Sequence, residues 1–321
     1  VRIAVTGGTG FVGRHLAARL AGLGHEVVLV ARGVDQRPGA LAVRETPGVT
    51  VVAANVADEA SLRRAFEGCD AVAHCAGVNR EVGQQTYAAV HVAGTRNVVA
   101  SAEAAGVQRL TLLSFLRARP ACDSPYHESK WQAEEIVRGS SLRWTVLKPG
   151  MVYGSGDHFL DHLSRALFTF PVYVGIGGRR VRPLWVEDLV DVLVAALVDG
   201  RLDGRTVPVL GPTQLGFDSA VRTIGRVLGR RVRVVRLPML FHELLGWVSE
   251  RVMTVPLVAR AQVRMLREEI VEPVLAPDAL PEDLVPRTPF GDRTIRLALP
   301  PRGGFTHHDL RAVNDPAVRV R

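Results

Sequence analysis

The chain has 321 residues, 47% hydrophobic and 22% charged, and a formal net charge of +8. That is the composition of a globular chain of about two domains; it excludes collagen, coiled coil and intrinsic disorder. No apolar run approaches the ~20 residues of a membrane-spanning helix, and three irregularly spaced cysteines, Cys69, Cys75 and Cys122, make neither a disulfide framework nor a zinc site.

Strand and helix periods alternate from the first residue. Val1 to Thr6 is a β-branched apolar run, and Phe11 to Leu23 repeats its apolar residues at helical spacing. Strands follow at Glu26–Ala31, Thr50–Ala54 and Asp70–His74. A long helix is expected from about Gln84 to Ala105, capped by Gly106. Strand Arg109–Ser114, a helix from Pro125 to Arg138 and strand Leu142–Lys148 complete the first half. Strict alternation predicts right-handed βαβ units and a doubly wound parallel sheet, an α/β Rossmann fold. Residues 1–150 form its core, completed by elements within 151–215. Helices are expected at Asp157–Thr169, Val186–Val198 and Phe217–Leu228, with a strand at Thr206–Leu210. A smaller, mostly helical part, 216–321, is expected to cover the substrate crevice. Because a core strand opens the chain with no leader-like segment before it, the expected location is cytoplasmic.

The first strand runs into Thr6-Gly7-Gly8-Thr9-Gly10-Phe11-Val12-Gly13 and then a helix. Glycines there permit a tight turn and close backbone approach, and the helix N-terminus offers free N–H groups to a pyrophosphate. The eight residues Thr6 to Gly13 are therefore candidate cofactor ligands. Nineteen residues beyond Gly13, where an acidic residue would hold the ribose of NAD, stands Arg32. A cation suits the 2′-phosphate of NADP, with Arg37 in support, while Asp35 keeps NAD as the alternative.

Ser114 closes a strand at its carboxyl end, where open parallel sheets bind ligands. Tyr126 and Lys130 are four apart on the following helix and share a face. Of 40 Lys plus Arg residues only 130 and 148 are lysines, so a lysine here points to a need for a compact ammonium. A neighbouring ammonium is expected to lower the phenol's pKa toward working pH and make Tyr126 a usable acid or base.

With these residues the chain resembles the extended and atypical branches of the short-chain dehydrogenase/reductase superfamily, above all the group containing the dehydrogenase-like accessory subunit of respiratory complex I. The matching segments are Thr6–Gly13, His74-Cys75-Ala76-Gly77, the trio Ser114, Tyr126 and Lys130, Lys148-Pro149-Gly150-Met151-Val152-Tyr153-Gly154, and Arg182-Pro183-Leu184-Trp185-Val186-Glu187-Asp188. The resemblance implies Ser114, Tyr126 and Lys130 as the catalytic set. It adds Asn55, Val56, Cys75, Ala76, Gly77, Lys130, Pro149, Gly150 and Val152 to the cofactor contacts. Three positions depart from the family: Asn55 replaces an Asp, His91 an Asn, and Lys148 an Arg, the last either a neutral swap or a second ammonium in the pocket.

The expectation is an NADP-dependent oxidoreductase acting on a carbonyl or alcohol of unspecified identity. A nucleotide-sugar epimerase or dehydratase with bound NAD, and a non-catalytic NADP(H)-binding sensor or assembly protein, are the alternatives. The arginines are interleaved with acids and no zinc-finger or RNA-binding signature appears, so nucleic acid is not an expected partner; neither is a metal. Arg179, Arg180 and Arg182 are read as an anion grip or as solvated. The stretch 240–269 is read as packed helix, lid, partner surface or peripheral membrane contact, and a homodimer is left open.

Overall fold

The computed structural model describes residues 1–32, 38–170, 172–175, 178–252, 268–300 and 303–304. The chain divides into two compact units: Val1–Gly150 with Val186–Leu210 and Glu272–Arg287, and Met151–Trp185 with Gly211–Val271 and Thr288–Arg321.

In the first unit the elements are β1 (Arg2–Thr6), α1 (Phe11–Gly22), β2 (Glu26–Ala31), α2 (Pro38–Arg44), β3 (Val49–Ala53), α3 (Glu59–Phe66), β4 (Ala71–His74), a π-helical stretch Ala88–Ala93 leading into α4 (Gly94–Ala104), β5 (Arg109–Leu113), α5 (Pro125–Arg138) and β6 (Arg143–Pro149). Seven parallel strands stand in the order β11-β6-β5-β4-β1-β2-β3, with β11 at Arg205–Val209. The order reverses between β1 and β4, where Thr6 pairs with His74 across the ladder. This is a Rossmann-like α/β fold, and the β1/β4 edge is the switch point at which such sheets bind ligands.

Both sheet faces are covered, which is why the central strands are almost continuously apolar. One face packs against Leu62 and Phe66 of α3, Val98 and Ala102 of α4, and Ala133 and Val137 of α5. The other carries α1 and a helix not contiguous with it in sequence, Val186–Leu197. The segment Glu272–Arg287 is tied to this unit by Asp278, which accepts the Thr206 N–H at 2.8 Å, and by Asp283, which pairs with Arg201 at 2.7 Å.

In the second unit β7 is Val152–Tyr153, α6 His158–Thr169, β8 Val172–Gly175, β9 Arg180–Val181 and β10 Leu184–Trp185; Val186–Leu197 above is α7. Then come β12 (Leu215–Gly216), α8 (Phe217–Val227), β13 (Arg233–Arg236), α9 (Met239–Val252) and α10 (Asp292–Ala298). Their core joins Tyr153, Leu160, Leu163, Leu167, Phe217, Ile224 and Ile295.

Several expectations are corrected. The expected division took the core as 1–150 completed by elements from within 151–215, and 216–321 as the second part. By contacts, 151–185 and 211–215 go to the second unit and 272–287 return to the first. The long helix starts after Thr86 rather than at Gln84, because Val82 and Gln85 close a tight turn around Gly83 at φ +56°. Helices α2 and α3 have no counterpart in the sequence reading. Among the described residues no helix is long and apolar enough to cross a membrane.

Candidate functional site

The glycine loop spans the end of β1 and the start of α1. Gly7 sits at φ +68°, and a Cβ there would lie 2.8 Å from the Ala76 backbone; a Cβ on Gly13 would lie 2.4 Å from the Gly7 carbonyl oxygen. Glycine is thus required at both positions, once for the turn and once so that helix can abut strand. Gly10 caps α1 without a side-chain hydrogen bond, and the first turn holds no acidic residue, so its N–H groups are left for an anion. Thr9, Phe11 and Val12 lie in the same loop and first turn. Arg32 directly follows β2 and is exposed; Asp35 and Arg37 lie outside the described residues. Beyond β3, Asn55 closes its own turn by accepting the Ala57 N–H at 3.1 Å, and the Val56 carbonyl is held by Asn97 at 2.9 Å.

Two histidines that the sequence reading did not use as site residues organise the ground behind the loop. Thr95 donates its hydroxyl proton to the His91 carbonyl at 2.5 Å, so it accepts from His74 Nε2 at 3.0 Å. We therefore assign His74 Nδ1 as the acceptor of the Thr6 hydroxyl at 2.7 Å. Similarly, the Val78 N–H donates to His91 Nε2 at 3.1 Å, which leaves His91 Nδ1 to donate to Ser129 at 2.9 Å; Ser129 in turn donates to the Tyr126 carbonyl at 2.8 Å. Burial, helped by the Lys130 charge, pushes the His74 pKa down to about 3 and that of His91 to about 2, so both rings are neutral. A polar residue ending the apolar run Asp70–His74 was the signal available in the sequence.

The Lys130 ammonium, buried, donates to the Leu113 carbonyl at 2.8 Å and would lie 3.9 Å from a Cβ on Gly77. It is thereby brought against the segment Cys75-Ala76-Gly77. Desolvation lowers its pKa to about 8, opposed by Glu134. Burial pushes the Cys75 thiol up to about 12, which makes it an inert side chain. Tyr126 is ringed by Tyr87, His91, Phe115 and His127, with centroids 5.4–5.8 Å away.

Two expectations fail here. The Tyr126 phenol is shifted upward by burial, not downward, and Lys130 is engaged elsewhere. Ser114 does not join Tyr126: its hydroxyl donates to Glu134 at 2.5 Å, and the ring that meets Tyr126 from the end of β5 is that of Phe115, 5.4 Å away. Glu134 also takes Lys148 at 3.0 Å and Arg138 at 2.8 Å. Lys148 is therefore half of a buried ion pair, its other partner the Ala118 carbonyl at 2.9 Å. Pro149 ends β6 in the same unit and Gly150 follows it, its N–H donating to the Val209 carbonyl; Val152 lies in the second unit, paired with Leu184.

In the second unit Asp157 caps α6 by accepting from Gly154 and Leu160, and burial lifts its pKa to about 6. Arg180 is paired with Glu269 and Arg182 donates to the Gly211 carbonyl. His307 and His308 lie outside the described residues.

A family model described as NAD(P)H-binding matches residues 7–158. The chain is 33% identical over 236 residues to the (4-alkanoyl-5-oxo-2,5-dihydrofuran-3-yl)methyl phosphate reductase of Streptomyces griseus, covering 73% of this chain and 77% of that one. The chain belongs to this NAD(P)H-binding family. Within it, the chain is 28% identical over 240 residues to the mitochondrial NADH dehydrogenase 1 alpha subcomplex subunit 9 of Arabidopsis thaliana, over 73% of this chain and 60% of that protein. An uncharacterized protein of Mycobacterium tuberculosis matches 99% of this chain at 29% identity, and the chain spans 34% of that relative's length. The UDP-glucuronic acid 4-epimerase of Bacillus cereus, solved with NAD, shares the fold at a TM-score of 0.63 and 17% identity, over 74% of this chain and 87% of that one. The family makes this an NAD(P)-binding chain.

Proposed function

We propose that the chain is an NADP-dependent reductase of a carbonyl substrate, with Tyr126 as proton donor. The observation that carries this reading is the placement of the Lys130 ammonium between the β5 end and the Cys75-Ala76-Gly77 segment, four residues along α5 from Tyr126. The residues present fit a dinucleotide. A Cβ would fill the cradle at Gly7 and Gly13, and the uncapped start of α1 faces the same loop. Arg32 is proposed to meet the 2′-phosphate.

A bound nicotinamide cofactor supplies the hydride that goes to the carbonyl carbon. Tyr126 gives its phenolic proton to the oxygen as charge develops there. Burial raises the phenol's pKa, so Tyr126 carries its proton at neutral pH, and the stabilisation of the phenolate that donation requires is assigned to the bound state. Lys130 is proposed to hold the ribose hydroxyls and to stabilise the phenolate left behind. Ser114, its proton spent on Glu134, is not assigned to the substrate oxygen; it braces the β5 end. The name of the Streptomyces relative supports reduction.

A second reading, an NADP(H)-binding subunit without turnover, is favoured by that same withdrawal of Ser114 and by the Arabidopsis relative. One experiment separates the two. NADPH oxidation is followed against a panel of aliphatic and cyclic ketones and aldehydes, with NADPH binding measured in parallel. Tyr126→Phe is expected to bind NADPH as the wild type does and to lose roughly 10²–10⁴-fold in turnover. Binding of NADPH with no oxidation of it by the wild-type chain gives the second reading.

A further inference from the structure

In the second unit one face of a helix carries exposed apolar side chains. Helix α9 turns His242 and Gly246 inward; His242 is 2% exposed, its ring 3.2 Å from the Pro238 carbonyl and 3.5 Å from that of Val174 on β8. The other side carries Leu240, 76% exposed, Leu244, 57%, Trp247, 44%, and Phe241, 41%. Positions 240, 244 and 247 are i, i+4 and i+7, a single stripe along the helix.

The stripe presents on the order of 400 Å² of apolar surface, the size of the largest patch on a typical monomer, which is often a functional one. It is also about half of the ~800 Å² that each partner contributes to a stable dimer, so a second copy is a poor match. The local charge selects among the remaining occupants. Of the arginines ahead of the helix, Arg226 and Arg236 pair with Asp292 and Asp218 and Arg230 donates to the Phe168 carbonyl, whereas Arg231 and Arg233 are exposed; on α9 itself Glu243 is exposed as well. An apolar stripe with a tryptophan, a few residues from two exposed arginines, has the chemistry of a helix that lies in a lipid–water boundary.

We propose that α9 is an interfacial helix that seats the second unit on a membrane surface rich in anionic lipid. Leu240, Leu244, Phe241 and Trp247 enter the acyl boundary, and the neighbouring arginines meet headgroup phosphates. The proposal is independent of the reductase reading, since it uses no residue of the cofactor loop or of α5.

The full chain is sedimented with phosphatidylcholine vesicles, with and without phosphatidylglycerol. Wild-type protein is expected to pellet with the anionic vesicles, less with pure phosphatidylcholine, and less as NaCl is raised. A Leu240→Glu/Leu244→Glu variant with an unchanged thermal transition is expected to lose roughly tenfold or more of its partitioning. A charge-reversed Arg231→Glu/Arg233→Glu variant is expected to lose its preference for phosphatidylglycerol. Failure of the wild type to pellet, or either variant pelleting like the wild type, overturns the proposal. A wild-type dimer in sedimentation velocity that the leucine variant disperses, without vesicle binding, assigns the face to a second copy and overturns it equally.

Discussion

Lys130 and Glu134 occupy successive turns of α5 on the face that carries Tyr126, yet burial treats them differently. Glu134, fully buried, is met by Lys148, Arg138 and the Ser114 hydroxyl. Lys130 has one carbonyl, and desolvation dominates its pKa. The sign of its effect on stability follows. Below pH about 8 the ammonium is charged in folded and unfolded chains alike, and the fold bears the cost of burying it. Between about 8 and the ordinary 10.5 the unfolded chain binds more protons, so this group makes stability rise with pH, by on the order of 3 kcal/mol in all. Denaturant unfolding of wild type and Lys130→Met at pH 7.5 and pH 10 should show the wild type gaining on the variant as pH rises. A wild type that loses ground would mean that the ammonium is stabilised by an ion pair instead.

At the scale of elements, the β1–α1 junction concentrates the strictest steric demands in the first unit. The Gly13 position abuts the Gly7 carbonyl, and backbone cannot swing aside as a flexible side chain does. Gly13→Ala is expected to cost about 1–3 kcal/mol by overpacking and to weaken NADPH binding, because relief requires the loop to shift from the start of α1. Thermal melting and cofactor fluorescence titration measure the two effects. The π-helical turn Ala88–Ala93 serves a related purpose. It places His91 where its ring bonds both the Val78 N–H and Ser129, tying the loop after β4 to the Tyr126 turn. Such bulges occur preferentially at functional sites.

Across the whole molecule, the first unit is discontinuous in sequence. Helix α7 packs on α1, β4 and β5 and buries six large apolar residues: Val186, Leu189, Val190, Val192, Leu193 and Leu197. At about 1.5–3 kcal/mol for each, their burial is comparable with the 5–15 kcal/mol stability of a domain. A fragment ending at Gly150 also leaves β6 without its neighbour β11. That fragment is expected to show no cooperative thermal transition by circular dichroism, although it contains every glycine of the cofactor loop together with Tyr126 and Lys130. A cooperative melt would show that α7 and β11 are dispensable.

The sequence by itself determined the parallel sheet, the glycine loop at the end of β1, and the shared face of Tyr126 and Lys130. Each rests on local periodicity or on steric demands within a dozen residues, and these survive whatever the rest of the chain does. The tertiary structure alone decided the orientation of Ser114, the fate of Lys148, the direction of the Tyr126 pKa and the return of 272–287 to the first unit. A hydroxyl turns to whichever partner burial brings within reach, and Glu134, twenty residues on, is not visible as a rival to substrate. A phenol's pKa depends on the balance of desolvation against a neighbouring charge, and spacing on a helix reports only the charge. Chain order likewise does not disclose what meets the outer edge of the sheet: Asp278 of the 272–287 segment exchanges hydrogen bonds with Thr206 on the edge strand β11.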